Sequence, residues 1–187
     1  MHLYLAGPDV FLPNPLSMAR LKQEICQTYG FVGEFPFDPT LDLASLSPYD
    51  QGIAIYKSNI ALMNRCDLIV ANMTPFRGPS MDVGTAFEIG YMAAQGKPVY
   101  GYTNDGRLYV DRVTAASPGL DADGLSIEAF AMADNLMMEG AIVLSGGVLT
   151  RESIPAGLFD TSLRTFEATV KIAAERLLGY AAKSANC

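Results

Sequence analysis

The sequence predicts an α/β protein built on a doubly wound parallel sheet. In the N-terminal half, short β-prone runs alternate with helical patterns, and this alternation is typical of parallel strands joined by right-handed crossovers. The run at residues 67–72 is almost wholly apolar, as in strands that helices cover on both faces. At 187 residues the chain is long enough for one well-buried core, so we expect a single domain over residues 1–187.

Strands and helices alternate regularly up to residue 103. The predicted strands cover residues 2–6, 31–37, 67–72 and 99–103, and the predicted helices begin at Asn14-Pro15, at Gln51 and at Asp82. Gly30 ends the first helix and Gly96-Lys97-Pro98 ends the third, because glycine and proline disfavour helix continuation.

The second half of the chain is less regular. Asn104-Asp105-Gly106 and several later glycines predict a long mobile loop at residues 104–124. Loops of this length in compact domains are usually functional or disordered. A methionine-containing stretch follows at residues 126–141, and residues 160–182 have the periodicity of a long amphipathic helix.

Charge and composition limit the classes of partner. The net charge of −7 and a pI near 4.6 argue against a nucleic acid or an anionic membrane, because both need a basic surface. With 50% hydrophobic and only 18% charged residues, we expect other subunits to cover some apolar surface. The sequence has neither a membrane-spanning run nor a signal-peptide pattern, which predicts a cytoplasmic protein.

Carboxylates are the groups left for acid–base and nucleophilic chemistry. His2 is the only histidine, and Cys26, Cys66 and Cys187 are widely spaced, so a Ser-His-Asp triad, a disulfide framework and a metal site are all poorly supported. The sequence contains neither G-x-G-x-x-G nor a P-loop pattern. We therefore expect no metal and no cofactor.

Glu88 is the most informative residue, because it lies among apolar and small side chains in the predicted helix at residues 82–95. A buried carboxylate is costly unless a partner or a function compensates. Helical side chains lean toward the N-terminus, so Glu88 lies over Gly84, which leaves room for a ligand. The alternatives are a core glutamate bonded to another donor and a glutamate at a subunit contact.

Several strand ends are expected to form one crevice. Gly7-Pro8, Asp38-Pro39 and Thr74-Pro75 each follow a strand, and ligands of doubly wound sheets bind beyond the carboxyl ends of strands. Tyr4, Asp38 and the start of the Glu88 helix should therefore converge.

A carboxylate without a histidine or metal partner can act as a nucleophile on the anomeric carbon of a sugar. For that role Glu88 must be ionised, and the hydroxyl of Tyr4 could donate to it and keep its pKa down. Tyr4 is equally well explained as an ordinary aromatic residue of a strand.

Four segments carry a combined signature. They are Tyr4-Leu-Ala-Gly7-Pro8, the run Cys66-Asp67-Leu-Ile-Val-Ala, Asp82-Val-Gly-Thr-Ala-Phe-Glu88-Ile-Gly-Tyr91, and Asn135-Leu-Met137. Together they resemble the nucleoside 2-deoxyribosyltransferases, and the third segment is the most specific. The resemblance implies a flavodoxin-like α/β fold of about five strands with helices on both faces. It also implies transfer of a 2-deoxyribosyl group between purine or pyrimidine bases, by retaining double displacement through a covalent intermediate on Glu88.

The resemblance assigns roles to residues around Glu88. Tyr4 would hold Glu88 and the sugar, and Asp82 would bind the 5′-hydroxyl. A carboxylate accepts a hydrogen bond from a hydroxyl but repels a phosphate, so nucleosides should be preferred over nucleoside monophosphates. Related hydrolases of nucleoside monophosphates carry a serine at the matching place. Asp82 also fits a helix N-cap, and the two roles can coexist.

The base-binding part of the site departs from the family pattern. Many relatives have an aspartate where this chain has Asn59, and an amide cannot deliver a carboxylic proton. Asn59 can still hydrogen-bond the base, and Asp38 or a water would supply the proton to the departing base. Gly7 and Phe11 complete the expected substrate-binding set. Phe11, Phe76 and Tyr56 are candidate stacking surfaces for the base, although aromatic residues at such places are more often core.

The resemblance further implies that Asn135 and Met137 enter a neighbouring subunit's site, in a homo-oligomer such as a dimer-based tetramer or hexamer. An ordinary helix segment is the alternative interpretation. The expected partners are deoxyribonucleosides and free nucleobases. Two other functions stay open: a nucleoside or nucleotide N-glycosidase, and a nucleoside-binding domain without catalysis.

Overall fold

A five-stranded parallel sheet forms the centre of the protein, and the computed structural model describes residues 1–38, 40–155, 157 and 161–180. The strands are β1 (His2–Ala6), β2 (Val32–Glu34), β3 (Leu68–Asn72), β4 (Val99–Thr103), β5 (Ala115–Ser117), β6 (Leu120–Asp121) and β7 (Leu149–Arg151). The central sheet has the order β2-β1-β3-β4-β7, with every neighbouring pair parallel. The predicted α/β fold of the doubly wound, flavodoxin-like type is confirmed.

Helices cover both faces of this sheet. They are α1 (Pro15–Thr28), α2 (Pro48–Arg65), α3 (Val83–Ala94), α4 (Tyr109–Arg112), α5 (Leu136–Leu144) and α6 (Arg164–Leu178), with a 3-10 turn at Pro8–Phe11. Side chains alternate along β1, so Leu3 packs with α1 and α6 on one face. Tyr4 packs with α2, α3 and α5 on the other. The sheet is therefore buried on both sides, which explains the apolar sequence of β3.

The predicted boundaries shift at two places for local reasons. Strand β2 pairs with β1 only over Val32–Glu34, and Pro36, which falls within the predicted strand, has no backbone N–H for a ladder. Helix α2 begins at Pro48, three residues before the predicted start. Ser47 caps it by accepting a hydrogen bond from the backbone N–H of Asp50 at 3.2 Å, and proline suits the first helical position.

The C-terminal half contains more regular structure than its sequence predicts. Residues 104–124, predicted as a long mobile loop, contain α4 and the antiparallel pair β5–β6. The fifth strand of the sheet, β7, follows Gly146-Gly147. It is only three residues long, which is too short to show an alternation of apolar and polar residues. A Cβ at position 147 would lie 1.7 Å from the carbonyl oxygen of Val99, so only glycine permits this approach to β4.

The predicted helix at residues 160–182 corresponds to α6, which ends at Gly179 in a left-handed conformation with a φ of 63°. Residues 160 and 181–182 of that prediction lie outside the described residues, as do Pro39 and Cys187. In the described parts of the chain, no helix combines the length and apolar character needed to cross a membrane.

Candidate active site

Tyr4 and Glu88 form a hydrogen-bonded pair at the carboxyl ends of the strands. The hydroxyl of Tyr4, on β1, donates to Oε1 of Glu88, on α3, over 2.6 Å. Tyr4 is fully buried beneath α3, so its ring cannot turn away without opening the core. Strand β1 therefore supplies a fixed hydrogen-bond donor to Glu88.

The surroundings of Glu88 place its ionisation near neutral pH. Burial raises the pKa of Glu88 to about 7, the hydrogen bond from Tyr4 acts in the lowering direction, and the charge of Asp82 adds a smaller rise. Burial, followed by the charge of Glu88, raises the pKa of the Tyr4 hydroxyl far above its ordinary value. Tyr4 thus stays a protonated donor while Glu88 changes charge around pH 7.

Asp82 caps helix α3 and faces the same cleft as Glu88. Its Oδ2 accepts hydrogen bonds from the backbone N–H and from the hydroxyl of Thr85, both at 2.9 Å. Gly84 follows in the first turn, where a Cβ would come within 3.1 Å of that same Oδ2. Because position 84 has no side chain, the space between Asp82 and Glu88 stays open to a ligand, as the sequence predicts.

A cleft of about 500 Å³ lies above these residues. Six of the predicted site residues line it: Glu88, Asp82, Asn59, Asp38, Gly7 and Phe11. Pro36, Phe37 and Ile55 contribute to an apolar wall, and a volume of this size suits a small molecule with both polar and apolar parts. Its lining contains three carboxylates and, among the described residues, no lysine or arginine, so it disfavours anionic ligands.

Asp38 lies at another part of this cleft, beside Asn59 on α2. Its Oδ1 accepts from the backbone N–H of Thr40 at 2.9 Å and from the Thr40 hydroxyl at 2.6 Å, and its Oδ2 accepts from Ser58 at 3.4 Å. The hydrogen bonds from Thr40 hold the pKa of Asp38 below its usual range. Asp38 therefore acts as a hydrogen-bond acceptor in these contacts, and its role as the proton donor stays a prediction.

Asn135 and Met137 do not reach the cleft of their own chain. Asn135 caps α5 by accepting from the backbone N–H of Met137 at 3.0 Å, and its Nδ2 donates to Glu128 at 2.7 Å. The side chain of Met137 is 64% exposed. Within one chain the segment is thus a capped helix start with an exposed methionine, and its entry into a neighbour's site stays a prediction.

Of the three aromatic residues that the sequence suggests for base stacking, Phe11 is the one that lines this cleft. It stacks on Phe76 with ring centroids 5.4 Å apart. Tyr56 instead packs against Phe87, with centroids 6.1 Å apart. Phe11, which is more than half exposed, therefore stays a predicted stacking surface for the base.

A buried ion pair that the sequence analysis missed holds the turn at Pro8–Phe11. Lys22 Nζ lies 2.7 Å from Oδ2 of Asp9 and donates to the hydroxyl of Tyr102 at 2.8 Å. A Cβ at Gly7 would lie 2.5 Å from the same Asp9 oxygen, so glycine is needed for this packing. The sequence contained a signal for this pair. Lys22 lies four residues after Met18 and four before Cys26, on the buried face of α1.

Comparison with known proteins gives a family match and a curated relative. The sequence model of the nucleoside 2-deoxyribosyltransferase family matches residues 3–137. An uncharacterised protein of Schizosaccharomyces pombe is 36% identical, over 89% of this chain and 88% of its own.

Solved structures extend the likeness to the fold. A 2-deoxyribosyltransferase from Leishmania mexicana has a TM-score of 0.64 and 29% identity, covering 91% of this chain and 97% of its own. A conserved protein from Enterococcus faecalis has a TM-score of 0.57 and 23% identity, with 92% of this chain and 98% of its own covered, and it supports the fold alone.

Proposed function

The chain belongs to the nucleoside 2-deoxyribosyltransferase family, and on that premise we propose that it exchanges the nucleobases of 2′-deoxyribonucleosides by double displacement on Glu88. The observation that carries this proposal is the 2.6 Å hydrogen bond from Tyr4 to Glu88. It joins a buried donor to a carboxylate that lines a cleft of about 500 Å³. Such a carboxylate is held in one orientation while its second oxygen faces the substrate.

The first displacement forms the glycosyl-enzyme. Since Tyr4 engages Oε1, we assign the attack to Oε2 of Glu88, which bonds to C1′ of the deoxyribose as the C1′–N bond to the base breaks. The electron pair of that bond leaves on the base nitrogen, which takes up a proton. Configuration inverts in this step, and the free base departs.

The second displacement releases the product. A nitrogen of the incoming base attacks C1′, the bond from C1′ to Glu88 breaks, and the carboxylate is restored with its negative charge. The incoming nitrogen gives its proton to solvent, which replaces the proton that the departing base took up, and two inversions give net retention. The cleft would bind neutral deoxyribonucleosides and free bases, in keeping with its three carboxylates.

The proton for the departing base comes from water in this mechanism. Asn59 carries an amide, and the pKa of Asp38 is held below its usual range by Thr40, so neither side chain is a carboxylic acid at neutral pH. Both can hydrogen-bond the base. Asp38 accepts, and Asn59 can donate as well as accept.

Base exchange tests the proposal directly. The protein is mixed with one 2′-deoxynucleoside and a different free base, and chromatography follows the new nucleoside; we expect it to form. Free deoxyribose released at equal rates with and without acceptor base would identify an N-glycosidase instead. Tight nucleoside retention without either product would identify a non-catalytic binding domain.

Replacing Asp82 with serine should relax the discrimination against phosphate. Serine keeps a cap acceptor for the backbone N–H of Thr85, which Asp82 now bonds at 2.9 Å, but removes the negative charge from the cleft. We expect the kcat/KM ratio of a deoxynucleoside over its 5′-monophosphate to fall at least about 10-fold. Asp50→Ser, which removes an exposed charge from the first turn of α2, is the control. An unchanged ratio in Asp82→Ser would refute the gating role.

A further inference from the structure

A second buried ion pair joins two separate segments outside the cleft. Nη2 of Arg112, in α4, lies 3.2 Å from Oδ2 of Asp134, just before α5, and these side chains are only 2% and 1% exposed. The same nitrogen of Arg112 donates to the carbonyl oxygen of Ala133. Nε and Nη1 of Arg112 are buried without a hydrogen-bond partner among the described residues, so Nη2 makes the polar contacts of this guanidinium.

The carboxylate of Asp134 also holds the loop that leads into α3. Its Oδ2 accepts from the backbone N–H of Met81 at 2.9 Å, and its Oδ1 accepts from the hydroxyl of Ser80. Met81 is buried and immediately precedes Asp82. The backbone on the N-terminal side of Asp82 is therefore anchored to a residue 53 positions further along the chain.

Two anchors thus fix Asp82 from opposite sides. Thr85 binds its side chain within the helix, and Asp134 binds the peptide N–H just before it. Asp134 does not line the cleft, so within its own chain it reaches the site through this backbone. Its Oδ1 also accepts from the backbone N–H of Asn135 at 2.8 Å, which ties the same carboxylate to the start of α5.

We propose that Asp134 is a positioning residue that aims the Asp82 carboxylate at the 5′-hydroxyl of the deoxyribose, and that it thereby sets the preference for donors carrying that hydroxyl. The inference rests on the proposed function, in which Asp82 binds this group. A hydrogen bond to a substrate hydroxyl weakens steeply with small displacements, so an anchor outside the cleft controls its strength.

Paired substrates isolate this effect. KM and kcat are measured for a 2′-deoxynucleoside and for its 2′,5′-dideoxy counterpart, with one acceptor base, in wild type, Asp134→Asn and Ser80→Ala. We expect KM for the hydroxylated donor to rise about 10-fold in Asp134→Asn and about 3-fold in Ser80→Ala. In both variants kcat, and KM for the dideoxy donor, should change by less than about twofold. Ser80→Ala removes only the hydrogen bond from the Ser80 hydroxyl to Asp134, in the loop before Asp82. If Asp134→Asn misfolds, Ser80→Ala therefore tests the inference by itself.

The matched control is Asp105→Asn. Asp105 is 3% exposed and pairs with Arg107 over 2.6 Å, but its side-chain hydrogen bonds go to Arg107 and not to the loop before α3. This variant should leave the ratio of the two KM values unchanged. In an Asp82→Ser background, Ser80→Ala should have no further effect on that ratio, because coupled residues are not additive.

The outcomes separate the inference from the proposed function. If wild type forms no exchanged nucleoside, the proposed function fails and the inference fails with it. If wild type exchanges bases and prefers the hydroxylated donor, but Ser80→Ala keeps the wild-type KM ratio or changes both donors equally, the inference alone is overturned. A selective loss that disappears in the Asp82→Ser background supports it.

Discussion

Glu88→Ala is expected to abolish base exchange, lowering kcat/KM by on the order of 10⁴-fold or more, because the variant has no atom that can form the glycosyl-enzyme. Its fold should persist, since removing a desolvated carboxylate relieves the burial that raises the pKa of Glu88 to about 7. The measurement is the rate of exchanged nucleoside, with circular dichroism as the check on folding. Glu175→Ala, at an exposed helical glutamate of α6, is the control and should exchange bases at the wild-type rate.

A covalent trap tests the same assignment without turnover. A 2-fluoro-substituted deoxynucleoside slows the breakdown of the intermediate, because fluorine destabilises the cation-like transition state. Wild type should gain the mass of one fluorodeoxyribosyl group, and Glu88→Ala should gain none. An adduct located at any residue other than Glu88, or exchange by Glu88→Ala at the wild-type rate, would show that the mechanism is wrong.

Tyr4→Phe is expected to lower exchange at pH 7 by about 10- to 100-fold, the range for losing a hydrogen bond to a charged group. The variant loses the 2.6 Å bond that orients Glu88, while the phenyl ring still fills the core. Tyr100→Phe is the matched control, since Tyr100 is a buried tyrosine on the opposite face of the sheet. It should retain wild-type activity.

The pH profile of Tyr4→Phe distinguishes a role of Tyr4 in hydrogen-bonding Glu88 from a role in packing the core alone. Attack requires the ionised carboxylate, so wild-type activity should rise with pH through the Glu88 pKa of about 7 and level off above it. The bond from Tyr4 acts to lower that pKa, so its loss should move the rising limb to higher pH and the deficit should shrink in mild alkali. An unshifted limb in kcat/KM measured from about pH 5 to 9 would contradict this role for Tyr4.

The strands and helices of the N-terminal half could be predicted because each carries a local signal. The period of apolar residues marks α1 to α3, and Gly30 and Gly96 mark where α1 and α3 stop. The short strand β7 could not be predicted, because three residues are too few for an alternating pattern. Helix α4 is likewise only four residues long, and the backbone N–H of its Tyr109 bonds to the carbonyl oxygen of Met132, far along the chain.

The candidate nucleophile was visible in the sequence because a lone carboxylate in an apolar helix is energetically anomalous. Its partner Tyr4 was open to two interpretations, since a strand aromatic is common and the two residues are 84 positions apart. The sequence also contained Lys22 on a buried face of α1, but its partner Asp9 became apparent only when the turn at Pro8–Phe11 was placed against the sheet.

The sequence by itself determined the fold class, the helix that carries Glu88 and the acidic chemistry available to the site, because periodicity and residue type are local properties. Only the tertiary structure decided that the Tyr4 hydroxyl reaches Glu88, that Asp38 accepts hydrogen bonds from Thr40 and Ser58, and that Asp134 anchors the loop before Asp82. These are contacts between distant segments or effects of burial and hydrogen bonding. Their energies depend on distances that only the folded chain fixes.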